Sequence, residues 1–137
     1  MDENKEVIVQ RLEACGIYPT PQRIKIAQVM LVRDQHMSAD KVLQTVNMTE
    51  SAVSKATVYN TLGLFANKGL IREVIVDPSK VFYDSNTSEH HHFYNVDTGE
   101  LSDIPSEELL IDRLPEMPET TEFAGVDVII RLRQKSL

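Results

Sequence analysis

Ser54-Lys55-Ala56-Thr57-Val58-Tyr59-Asn60-Thr61-Leu62 is the stretch that decides how this chain is read. Ser54 is a helix N-cap residue type, and Val58, Leu62, Phe65 and Ala66 follow as an apolar stripe at helical spacing. Thr57, Asn60 and Thr61 stand at i, i+3 and i+4, which puts them on one polar strip of the same helix. Short polar and flat amide side chains on the first turns are what a helix needs to read base edges in a major groove. Asn60 suits a paired contact to adenine, and Tyr59 borders the strip within reach of a thymine methyl or a phosphate. Ser54 and Lys55 sit at the helix mouth, and Lys55 and Arg23 are candidates for phosphate contacts. A merely solvated helix face carries the same periodicity, so this pattern alone leaves both readings open.

Upstream, three more helices are expected. Val7, Ile8, Leu12 and Cys15 recur at helical spacing before Gly16, a helix stop. Thr20-Pro21 is an N-cap followed by a first-turn proline, with Ile24, Ala27, Val29, Met30 and Leu31 as the buried face. Ser38-Ala39-Asp40 opens a third helix that carries Val42, Leu43 and Val46 inward. Lys68-Gly69 closes the fourth with a basic last turn and a C′ glycine.

Downstream the texture turns to strands. Leu70 to Val76 and Lys80 to Tyr83 are β-branched and aromatic runs around Asp77-Pro78-Ser79, a hairpin signal. A second hairpin runs from His91 to Val96 and from Glu100 to Ile104 around Asp97-Thr98-Gly99. Ser106-Glu107-Glu108 is expected to cap a short helix through Leu110, and an apolar strand from Val126 to Leu132 closes the chain. The expected fold is α+β: an N-terminal winged helix-turn-helix over 1–80, then a small α/β dimerisation domain over 81–137.

Composition bounds the rest. The 137 residues are 42% hydrophobic and 26% charged, with a net charge of −7. That excludes disorder by composition, and no apolar run is long enough for a membrane span. The polar, acidic start has no signal-peptide core, so a cytoplasmic protein with no membrane partner is expected. Cys15 stands alone and excludes both an internal disulfide and cysteine-based structural zinc. Overall acidity argues against nucleic acid, but the charge is split. Residues 1–80 hold 10 Lys and Arg against 9 Asp and Glu, and residues 81–137 hold 4 against 12. Over 17–72 the balance is 7 basic to 3 acidic, which suits a head that approaches phosphates.

The histidines carry the second signal. In a strand His90 and His92 point to one face and His91 to the other. With Asp84 and Asp103 on neighbouring strands they form a mixed nitrogen and oxygen donor set for iron, manganese or zinc. His36 lies in the N-terminal part, so its participation would clamp the two domains. A solvated polar edge strand is the alternative. A non-haem metalloenzyme using His90, His92 and an aspartate is another. The chain has no nucleophile with a paired base and no phosphate-binding glycine loop, so no enzymatic activity is expected.

Several blocks together resemble the ferric uptake regulator family: Gly16-Ile17-Tyr18-Pro19-Thr20-Pro21-Gln22-Arg23, His36-Met37-Ser38-Ala39, Ala56-Thr57-Val58-Tyr59-Asn60-Thr61-Leu62, and Gly69-Leu70-Ile71-Arg72-Glu73 leading into the histidines. Asp77-Pro78-Ser79-Lys80, the run from Asp84 through Phe93, and Val126-Asp127-Val128-Ile129-Ile130-Arg131 look like its iron response regulator branch. The resemblance spans about residues 12 to 135. It implies a homodimeric DNA-binding repressor acting on a double-stranded, A·T-rich palindromic operator. It implies a regulatory metal site at His36, Asp84, His90, His92 and Asp103, and a second metal or haem site drawn from Glu89, His90, His91, His92, Glu108 and Asp127. The branch implies a repressor that acts when iron is scarce and is released by haem. Within the same family, a metal-activated repressor of iron uptake and an iron-based peroxide sensor are the alternatives. Asn95 and Thr98 stand where many members carry a Cys-x-x-Cys zinc motif, and Tyr18 replaces a lysine that often enters the minor groove.

Overall fold

The computed structural model describes residues 2–48 and 52–136, arranged as two compact units, Met1–Thr87 and Ser88–Leu137. The first unit contains α1 (Asp2–Ala14), α2 (Pro21–Leu31), β1 (His36–Ser38), α3 (Ala39–Val46), α4 (Lys55–Asn67), β2 (Arg72–Asp77) and β3 (Lys80–Asp84). Its boundary lies beyond the expected 80/81 break because β3 pairs on both edges, with β1 and with β2.

Helices α2, α3 and α4 each start where a side chain takes up an orphan N–H. Thr20 Oγ1 accepts from Arg23 N at 3.3 Å, Ser38 Oγ from Lys41 N at 3.1 Å and Ser54 Oγ from Thr57 N at 3.1 Å. At the far end of α4, Gly69 takes φ +81°, and Gly69 N and Leu70 N donate back to Ala66 O (3.1 Å) and Phe65 O (2.9 Å). This Schellman arrangement requires a residue at ease with positive φ, and glycine supplies it. Between α3 and α4, Asn47 closes the turn with two bonds to the Val53 backbone, at 2.7 and 2.9 Å. Leu12, Ile26, Met30, Val42, Val58, Leu62 and Phe65 are fully buried and tie the helices into one core. Val7, counted with the apolar stripe of α1, is instead exposed, since Ile8 and Leu12 already fill the contact with the core. Ile26, absent from the expected buried face of α2, is fully buried.

The wing is the β2–β3 hairpin, whose turn is held by Asp77 Oδ1 accepting from both N and Oγ of Ser79 at 2.8 Å. On the other edge of β3, Gln35 and Ser85 form a clasp. Ser85 N donates to Gln35 O at 2.9 Å, Gln35 N donates to Ser85 Oγ at 3.0 Å, and Ser85 Oγ donates to Arg33 O at 2.9 Å. The Gln35 amide also caps the end of α2 through Val29 O and Met30 O. Locked this way, β1 and β3 pair with His36 opposite Asp84.

In the second unit β4 (His91–Asn95), β5 (Leu101–Ile104) and β6 (Ile129–Leu132) form a sheet in the order β5-β4-β6, with β4 and β6 parallel. Asn95 Oδ1 shapes the hairpin by accepting from Asp97 N and Thr98 N, and Gly99 takes φ +77°. The helix expected to run from Ser106 to Leu110 is a single 3₁₀ turn, Ser106–Glu108, preceded by Pro105 with no side-chain cap. Ser106 Oγ faces Glu107 and so leaves the turn's N–H groups uncapped. The closing strand starts at Ile129 rather than Val126. Tyr94, Leu101, Ile104 and His92 are buried, whereas Leu110, Ile111, Leu114, Met117 and Phe123 are exposed.

Candidate metal centre and DNA-reading face

The alternation of β4 aims His90, just before the strand, and His92, within it, at one side, and register places Asp103 of β5 directly opposite His92. His92 is buried, with 1% side-chain exposure, and its Nε2 lies 3.3 Å from Asp103 Oδ1. His90 Nε2 approaches the same oxygen to 3.7 Å, and the two imidazole rings lie 4.6 Å apart. The Nδ1 of His90 sits 2.7 Å from Ser88 O, a carbonyl that can only accept. In the neutral ring Nδ1 therefore carries the proton and Nε2 turns its lone pair toward the carboxylate.

The His90 ring nitrogen and the Asp103 carboxylate are both electron-pair donors that a cation can accept. A distance of 3.7 Å is too long for a hydrogen bond. Metal–ligand bonds of about 2.1 Å set neighbouring donors roughly 3.0–3.4 Å apart, a spacing that the 3.3 Å from His92 Nε2 to Asp103 Oδ1 matches and that the His90 approach slightly exceeds. The nitrogen and oxygen donors of His90, His92 and Asp103 all fall within 4.8 Å of one another, so the trio is compatible with a borderline divalent cation. The Ser88 carbonyl behind His90 is the partner that orients a ligating imidazole and fixes its tautomer. An ion there would supply charge that holds the carboxylate and both rings together.

In the first unit His36 and Asp84 face each other across the β1–β3 pair. Asp84 is buried, 1% exposed, and its carboxylate accepts from Asn86 N at 2.9 Å. The His36 and Phe82 rings meet in a T-shaped contact, 6.4 Å between centres.

The second expected donor set is not gathered. Among the described residues, Glu89, His91, Glu108 and Asp127 do not bring three donor atoms together. His91 points to the other side of β4, and its Nδ1 accepts from Val128 N at 3.1 Å, which ties β4 to the approach of β6. Glu108 ends the 3₁₀ turn, and Asp127 lies in the exposed approach to β6. A cavity of about 440 Å³, lined in part by His90, His91, Ile104, Leu109, Leu114 and Phe123, adjoins this side.

Helix α4, the expected DNA-reading helix, runs over Lys55–Asn67 with Ser54 at its N-cap. Its first turns border an open groove of about 300 Å³ that brings Thr57, Asn60 and Thr61 together with Thr20, Gln22 and Arg23 of the α2 N-terminus. Thr61 is only 6% exposed, so the polar strip narrows to Thr57 and Asn60, with Thr61 at its floor. The helix turns that position inward between Val58 and Leu62. Arg23 donates from Nη1 to Tyr18 O at 3.0 Å and so is held at the rim. Tyr59 stands exposed outside that groove, and its hydroxyl donates to Asp40 Oδ1 of α3 at 2.6 Å. Lys55 Nζ lies 5.4 Å from the centre of the Tyr59 ring, a cation–π distance. The Asp40 bond is the main cause of a Tyr59 phenol held above its ordinary pKa. Asp40 went unnoticed in the sequence because its place beside the Ser38 cap already accounts for an acidic residue.

A winged-helix unit with a polar reading helix, followed by a small sheet that gathers imidazoles and a carboxylate, defines a class: a DNA-binding fold joined to a metal-type donor cluster. The profile of the Ferric uptake regulator family matches residues 14–133, and the chain belongs to that family. The peroxide-responsive repressor PerR of Staphylococcus epidermidis is 29% identical over 104 residues, covering 76% of this chain and 69% of the relative. Among solved structures, the ferric uptake regulator of Pseudomonas aeruginosa with manganese superposes with a TM-score of 0.71 at 25% identity, covering 93% of this chain and 97% of that one. The PerR of Streptococcus pyogenes superposes with a TM-score of 0.50 at 27% identity, covering 72% and 68%.

Proposed function

We propose that this chain is a homodimeric, metal-responsive transcriptional repressor that binds operator DNA through α4. The carrying observation is the convergence of His90 and His92 on a single oxygen of Asp103, at separations close to those of donors on a cation. The regulatory ion takes His90, His92 and Asp103 from the second unit and His36 and Asp84 from the first. Asp84 and His90 are six residues apart, so the chain itself keeps them within about 20 Å. An ion that draws donors from both units shifts the balance between their arrangements by its differential affinity for each. The all-oxygen-and-nitrogen donor set favours iron, manganese or zinc, and the PerR and manganese-bound relatives support a metal-activated repressor or a peroxide sensor over an enzyme.

DNA contact falls to Thr57, Tyr59 and Asn60, with Arg23, Ser54 and Lys55 at the backbone and buried Thr61 at the floor of the strip. The exposed apolar residues between β5 and β6 support a dimer, since the second unit buries few of its own. The test is a gel-shift series on duplexes selected from an A·T-rich palindromic pool, using metal-free, manganese-, zinc- and haem-loaded protein, with the mass in solution measured alongside. Tighter binding with a divalent metal and a dimer mass are expected. Equal affinity in every state would refute metal sensing.

A second reading takes the cavity of about 440 Å³ beside His91, lined in part by Leu109, Leu114 and Phe123, as a haem site in the manner of the iron response regulator branch. A Soret band on the purified protein, with loss of the shift on adding haem, would establish it over the first.

A further inference from the structure

Tyr59 is the one aromatic residue on the exposed side of α4, and two neighbours fix it. The hydroxyl spends its only proton on Asp40, 2.6 Å away on the first turn of α3, and the Lys55 ammonium lies over the ring. A phenol whose proton is already committed can only accept a further hydrogen bond. It is thereby closed to phosphate oxygens and to thymine O4, which need a donor. It stays open to the amino groups of adenine and cytosine, while the ring edge can lie against a thymine methyl.

We propose that Asp40 is a specificity-determining positioning residue: by accepting the Tyr59 proton it holds the ring at the exposed first turns of α4, beside the Thr57–Asn60 groove, and makes the phenol oxygen a hydrogen-bond acceptor toward DNA. This rests on the reading of α4 as the DNA-contacting helix. A carboxylate beside a DNA-reading surface is otherwise a cost, because it repels the phosphates that supply most nonspecific affinity. Its effect is to weaken binding to every sequence while sharpening the choice among them. The raised phenol pKa agrees with a proton held firmly between the two groups. Asp40 also lies in the first turn of α3, where a negative charge favours the helix whatever Tyr59 does. The test must separate these roles.

The manganese-loaded full chain is used to enrich duplexes from a randomised pool, and anisotropy then compares the enriched duplex with a scrambled one of equal composition. Asp40→Ala and Tyr59→Phe are each expected to cut the enriched-to-scrambled affinity ratio by about tenfold, within the range of a single base-pair contact. The double variant should lose no more than either alone, since both remove the same bond. Asp40→Asn keeps an acceptor and should restore most of the ratio, and both Asp40 variants should bind the scrambled duplex more tightly than wild type. Losses that multiply in the double variant, or an Asp40→Asn protein no better than Asp40→Ala, would overturn the proposal and leave Asp40 a helix-stabilising charge. A wild type that enriches no duplex overturns the α4 reading and this inference with it, before any variant is compared.

Discussion

Three consecutive histidines behave as two different residues. His92 and His90 offer ring nitrogens to Asp103, whereas His91 spends its Nδ1 on the Val128 N–H. His92→Ala is therefore expected to weaken manganese or zinc retention by more than about tenfold, and His91→Ala to leave it within about twofold; dialysis followed by elemental analysis decides it. Equal losses in the two variants would mean that the donor set is misassigned. Tyr59 carries a pH consequence as well. Its phenol is raised above the ordinary value near 10, so the bond to Asp40 is intact below that value and is lost as pH rises through the raised one. In absorbance titrations the Tyr59 phenol should ionise later than an ordinary tyrosine, and Asp40→Ala should bring it back toward normal. At this scale the sequence was legible wherever chemistry follows from residue type and strand parity, as with His90, His92 and Asp103. It was silent on Asp40, Ser88 and Val128, because their roles depend on which backbone or side-chain atom a fold happens to bring alongside.

Elements were legible where local rules and tertiary packing agree. Thr20, Ser38 and Ser54 cap the helices they were expected to cap, and both hairpins form around their turn residues. The reading fails where a local signal meets a competing constraint. Ser106-Glu107-Glu108 looks like a helix start, yet Pro105 and the lack of an apolar face leave one 3₁₀ turn. Thr61 keeps the polar spacing of α4 but falls on its inner side, because the stripe through Val58, Leu62 and Phe65 is wide enough to cover it. Phe65 is the centre of that stripe and is fully buried. Phe65→Ala is expected to cost about 3–5 kcal/mol, measured as a drop in the denaturation midpoint of the first unit, with the metal content of the chain unchanged. A loss below about 1 kcal/mol would mean that α4 does not depend on this core.

Across the whole chain, the net charge of −7 concealed two unlike units. Met1–Thr87 contains 10 Lys and Arg against 10 Asp and Glu, and Ser88–Leu137 contains 4 against 11. The acidity that seemed to exclude nucleic acid belongs almost wholly to the second unit. That split sets two equilibria against each other. If, as proposed, the second units pair and the first units contact DNA, pairing brings like charges together and is strengthened by added electrolyte, whereas contact with phosphates is weakened by the same electrolyte through counterion release. Operator occupancy at protein concentrations near the dimerisation threshold should therefore rise and then fall as potassium chloride is increased, a bell-shaped curve in place of the usual monotonic loss. Covalent cross-linking of the dimer would abolish the rising limb and leave the falling one, making ionic strength a probe of which half of the molecule limits binding.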